Sequence, residues 1–63
     1  MKKVQPKTFV LNRMPDLKIE SYDGLFLIRN YKTDDIFAEG TSHFIAWNRA
    51  MTRILKIEDE KKN

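Results

Sequence analysis

The stretch Asp23-Gly24-Leu25-Phe26-Leu27-Ile28 constrains this chain more than any other. Asp-Gly is a strong signal for a two-residue hairpin turn. Four large apolar residues follow it without a break. Neighbouring strand residues point to opposite faces of a sheet, so two of the four point one way and two the other. A chain of 63 residues has material to cover one sheet face, and the second must be explained.

Size sharpens the problem. A domain this short buries only about 60% of its unfolded surface and is marginal without a staple. The chain has no cysteine, so no disulfide forms, and its single histidine, His43, excludes a zinc site built on Cys and His. Good packing or a partner is left. Hydrophobic residues make up 41% and charged residues 33%, the balance of a globular protein and not of a disordered one. No apolar run approaches the ~18 residues of a membrane span. The basic start Met1-Lys2-Lys3 lacks the apolar core and small-residue cleavage site of a signal peptide. These features together point to a cytoplasmic protein.

The pattern divides residues 1–63 into one domain with a basic arm or edge strand over 1–12, an antiparallel sheet over 17–39 and a helix over 42–60. Phe9-Val10-Leu11 gives the arm a short apolar centre, which allows a fourth short strand from Phe9 to Asn12, and Met14-Pro15-Asp16 breaks it. Leu17 to Tyr22 alternates as a half-buried strand. Leu25 to Tyr31 returns from the turn. The polar Lys32-Thr33-Asp34-Asp35 forms the next loop, and Ile36 to Glu39 a third, shorter strand ended by Gly40. From Thr41 the period changes: Phe44, Trp47, Ala50, Met51, Ile54 and Leu55 recur at helical spacing. Thr41 or Ser42 supplies the N-cap, and Trp47 the centre of the core. The fold class expected is α+β, a three-stranded antiparallel meander packed on one C-terminal α-helix.

Two turns fit the hairpin. In a two-residue type I′ loop Tyr22 opposes Leu25, and the helix-facing set is Leu17, Ile19, Phe26 and Ile28. The outer set is then Lys18, Glu20, Tyr22, Leu25, Leu27, Arg29 and Tyr31. In a three-residue loop with Gly24 at a bulge, Ile19 opposes Leu27, and Phe26 and Ile28 turn outward. Asp-Gly favours the two-residue form. Either register leaves two large apolar residues outside, each worth about 1.5–3 kcal/mol if buried. A paired set in mid-strand beside Tyr22 and Tyr31, with Ile36 as a further candidate, reads as a contact patch. Either the Thr8-Phe9-Val10-Leu11 arm folds over it, or a second copy or a different molecule does.

Catalytic chemistry finds no frame. Ser21 and Ser42 have only His43 as a base, and Ser42 and His43 are neighbours near a helix start, without a third group to orient them. Asp34, Asp35 and Glu39 lack the spacing of a calcium loop, and acids in a short loop are ordinary turn formers. The two glycines stand apart, so no phosphate loop exists. The expectation is a non-enzymatic protein with no cofactor, metal or small-molecule substrate.

Binding is better supported. One choice is a protein interface of Tyr22, Leu25, Leu27, Arg29 and Tyr31, with a homodimer or a larger target as partner. The other is nucleic acid. Net charge is +3, and Lys2, Lys3, Lys7, Lys18, Arg29, Arg49 and Arg53 offer cations to phosphates while tyrosines offer rings to bases. The run from Asp23 to Met51 resembles in strand order the plant AP2-type domain and the amino-terminal domain of tyrosine-recombinase phage integrases. That likeness rests on three strands then a helix, the Gly40-Thr41 exit and the Ala46/Ala50 spacing. It implies a sheet lying in the DNA major groove. Those families carry several Arg and Trp residues on the DNA-reading face, where this sheet offers Leu or Phe and Ile. In size, charge and lack of cysteine the chain is also similar to small phage or mobile-element proteins, anti-CRISPR inhibitors among them, a likeness of composition without a shared motif; an apolar centre with a polar rim would inhibit a larger target by occlusion. Unexplained apolar area favours the protein interface.

Overall fold

The computed structural model describes residues 5–61. Its elements are α1 (Pro6–Arg13), β1 (Leu17–Tyr22), β2 (Leu25–Asn30), β3 (Ile36–Gly40) and α2 (His43–Lys61). The three strands form one antiparallel sheet in the order β1-β2-β3. The α+β meander with a C-terminal helix is therefore the fold.

The turn sets everything after it. Asp23 and Gly24 both have positive φ, 51° and 83°, as a type I′ turn demands. The chain reverses in two residues, and Tyr22 pairs with Leu25, Ser21 with Phe26 and Ile19 with Ile28. This is the two-residue register. Leu17 and Ile28 are fully buried under the helices, and Leu25 and Leu27 face the other way.

The second hairpin is less regular. Phe26 faces Gly40 and Ile28 faces Ala38, but Arg29 faces Ile36, so Phe37 is an extra residue in β3. Such a bulge bends the strand, and here Phe37 packs against the core while Ile36 lies on the Arg29 side. The loop before it is held by Asn30, whose Oδ1 accepts from the Lys32 and Thr33 backbone N–H groups at 2.9 and 3.3 Å.

Ser42 caps α2. Its Oγ accepts from the Ile45 N–H at 3.2 Å, and its C=O from the Ala46 N–H at 3.0 Å, which satisfies donors that a helix start leaves orphaned. Ala46, Trp47, Ala50 and Ile54 then form one buried stripe. The small residues let the helix lie close to β3. Gly40 marks the closest approach: a Cβ there would sit 2.7 Å from the Ala46 N and 2.8 Å from Ile45 Cγ2. Gly40→Ala should therefore cost about 1–3 kcal/mol through overpacking, since a backbone atom cannot swing away. Thermal unfolding followed by circular dichroism checks this. A melting temperature equal to that of the parent would show that the strand and helix part without cost.

The expected arm is not an edge strand, and no fourth strand runs from Phe9 to Asn12. Pro6–Arg13 is a helix. Pro6 stands in its first turn, where a missing N–H costs nothing and a fixed φ favours helix. In a strand, Phe9 and Leu11 would turn away from Val10. In a helix, Val10 and Met14, four apart, share a side. Val10 is fully buried, and Phe9, Leu11 and Met14 pack around the same core. Pro15 ends the element by keeping Met14 out of the helical region (φ −134°, ψ 77°). Helix α1 packs beside α2, tied by Arg13 Nε to Glu58 Oε2 at 2.9 Å. It thus lies on the helix side of the sheet, not across the outer face. Residues 1–4, with the amino-terminal part of the expected arm, lie outside the described residues.

Candidate protein-docking face

Strand parity collects the outer face. In the pairing of β1 with β2, Lys18 stands opposite Arg29, Glu20 opposite Leu27 and Tyr22 opposite Leu25. β3 adds Glu39 beside Leu27 and Ile36 beside Arg29. Tyr31 joins the same side, because the Lys18 ammonium lies 4.4 Å from the centre of its ring. Tyr22, Leu25, Leu27, Arg29 and Tyr31 are thus brought together on one surface. Tyr22 is 69% exposed, Tyr31 56%, Ile36 48% and Leu25 40%. Leu27, in the middle, is half-buried between its two glutamates.

Arg29 is set by its surroundings. One terminal nitrogen lies 3.4 Å from Asp34 Oδ1, and Nε is buried without a hydrogen-bond partner among the described residues. Asp34 is presented by a left-handed backbone (φ 61°) and by its N–H bond to the Asn30 C=O. It serves as a counter-ion for Arg29. Lys32 reaches Asp16 at 3.7 Å at the other end of the loop. His43 lies on the first turn of α2 with its ring centre 4.3 Å from that of Phe26 and the two planes tilted by 50°.

The cations proposed for nucleic acid do not converge. Lys18 and Arg29 lie on the outer sheet face, where Glu20 and Glu39 balance them. Lys7 lies on α1. Arg49 and Arg53 face the far edge of β3. Arg49 donates to the Glu39 C=O at 3.1 Å and Arg53 to the Phe37 C=O at 2.7 Å. The Arg53 guanidinium also covers the Phe37 ring at 4.6 Å. Lys2 and Lys3 lie outside the described residues.

Sequence reasoning could place Ile36 beside the patch but not fix its side, because the bulge at Phe37 decides which way Ile36 points. It also missed an open groove of about 270 Å³ between α1 and β1, walled by Leu11, Leu17, Ile19 and Trp47 with Lys7 and Lys18 at its rim. Only the helical form of residues 6–13 creates it. No helix among the described residues is long and apolar enough to cross a membrane.

Comparison with known proteins finds no matching family model, no matching curated protein and no matching solved structure. The likeness to AP2-type and integrase domains accordingly gains nothing from these comparisons.

Proposed function

We propose that this chain is a small non-enzymatic binding protein, working in the cytoplasm, that docks a protein on the outer face of its sheet. Leu25 and Leu27 form the apolar centre, with Ile36 beside them. Tyr22, Arg29 and Tyr31 form an amphipathic rim of the residue types that interfaces favour. The observation that supports this is the placement of α1. The segment that would have covered the outer face lies on the opposite side of the sheet, and no other described element crosses this one. The mechanism is occlusion: the face seats on a partner and excludes what otherwise binds there. Charge argues for protein over nucleic acid, because Glu20 and Glu39 offset Lys18 and Arg29 on this surface.

Leu27→Asp is the test. The side chain lies on the outer face, so the fold should persist, with an unchanged circular dichroism spectrum. Capture of the native partner from host extract, compared side by side with the parent chain, should fall by tenfold or more. Equal capture by a folded Leu27→Asp protein would remove the outer face from the interface. A gel shift with duplex and single-stranded DNA should show no complex at physiological salt. A complex that weakens steeply with added salt would favour the nucleic-acid alternative instead.

A further inference from the structure

The two edges of this sheet are treated differently. On β3 the outward carbonyls of Phe37 and Glu39 accept from Arg53 and Arg49. Side chains of α2 thereby occupy that edge, one of the ways in which proteins blunt an exposed strand. β1 has no such cover among the described residues.

Register says which β1 groups are free. In a two-residue hairpin the flanking pair, Tyr22 and Leu25, exchanges hydrogen bonds. Alternation then gives bonded pairs at Glu20/Leu27 and Lys18/Arg29. The Tyr31 N–H donating to the Asp16 C=O at 3.0 Å continues the same series. The N–H and C=O groups of Ile19 and Ser21 therefore point away from β2. The Leu17 C=O does so too, while the Leu17 N–H bonds to the Met14 C=O. This edge is an unfilled half-ladder, and on the helix side it borders the open groove walled by Leu17 and Ile19.

We propose that the β1 edge pairs with the β1 edge of a second copy of this chain, antiparallel, with Ile19 opposite Ile19 across a two-fold axis. Charge selects the partner and the register. Only registers that place odd-numbered residues opposite one another join the free groups. With Leu17 opposite Ile19, Lys18 would meet Lys18. With Ile19 opposite Ser21, Glu20 would meet Glu20. Like charges directly opposite destabilise a sheet. The register between these sets Lys18 against Glu20 twice on the outer face. On the helix face it sets Ile19 against Ile19, which extends the apolar wall of the groove. Two bonds join the Ile19 groups, and two more run from the Ser21 N–H groups to the Leu17 carbonyls. The contact is isologous and closes on itself. The β3 edges, occupied by Arg49 and Arg53, stop the sheet at six strands.

The surface is distinct from the outer face, and the experiment separates them. Sedimentation or light scattering from micromolar to millimolar concentration should show a reversible dimer. Ser21→Pro removes an outward N–H at an exposed position without touching the β1–β2 ladder. It should raise the dissociation constant roughly tenfold or more, with the monomer fold retained by circular dichroism. Lys18→Glu should do the same by placing glutamate against glutamate, and Lys18→Glu combined with Glu20→Lys should restore the dimer. Leu27→Asp should leave it intact. A chain that is monomeric at millimolar concentration overturns the proposal. So does a dimer indifferent to Ser21→Pro, or a charge swap that restores nothing. A dimer lost only in Leu27→Asp would place self-association on the outer face.

Discussion

Trp47→Ala should abolish the cooperative thermal transition or lower its midpoint by ~12 °C or more. Trp47 is 4% exposed. It stands on α2 where three elements meet, lining one groove with Leu11 of α1 and with Leu17 and Ile19 of β1. A large-to-alanine change in such a site costs about 3–5 kcal/mol, the lost transfer energy plus the cavity left behind. Against that, a chain of this length has a total stability of ~3–9 kcal/mol at the usual ~0.05–0.15 kcal/mol per residue. One side chain thus holds a large share of the margin. No disulfide is present to limit the loss. Trp47→Phe keeps a ring in the site and should fall between the parent and the alanine variant. Circular dichroism melting of the three proteins checks this. An alanine variant melting within a few degrees of the parent would mean that α1 and β1 collapse onto the vacancy, and that Trp47 is not the centre of the core.

What the sequence showed plainly was local chemistry. Asp23-Gly24 favours the two-residue turn over the three-residue one that also fits, because positive φ at both positions is cheap for this pair and dear for most others. The register, and with it the outward direction of Leu25 and Leu27, follows from that turn. The helical period of Phe44, Trp47, Ala50, Met51, Ile54 and Leu55 shows over several turns, with Thr41 or Ser42 at its start, but it overstates the buried side: Phe44 and Leu55 are 66% and 48% exposed, while Ala46 is fully buried. What stayed hidden depended on neighbours distant in sequence. Arg49 and Arg53 count only as cations free for phosphates, since nothing local says that the β3 carbonyls lie beside them. Ile36 and Phe37 were ambiguous because a bulge, not alternation, fixes their sides. The edge asymmetry of the sheet was invisible for the same reason: it is a property of where α2 crosses β3.

Helix α1 is the clearest case, and Val10→Asp tests it. Eight residues span little more than two turns, too few for a period to stand out from a three-residue apolar run. The helical cues were Pro6 in the first turn and Val10 to Met14 at four-residue spacing. The energetic reason for the helix is tertiary. α1 is too short to persist alone in water, so it forms because Val10 is fully buried against the core and Arg13 reaches Glu58. Val10→Asp puts a carboxylate where no buried polar group exists among the described residues. Desolvating that charge, or protonating it to avoid the penalty, should cost about 3 kcal/mol or more. Asn12→Asp, on the exposed side of the same helix, adds the same charge and should change stability by no more than about 0.5 kcal/mol. Urea unfolding followed by Trp47 fluorescence reads both. Release of α1 uncovers the groove wall that Trp47 shares with Leu11, so the Val10→Asp protein should also emit further to the red before it unfolds. If the two variants behave alike, residues 6–13 are a detachable arm, free to move to the outer face, and the docking surface argued from its absence there loses its support.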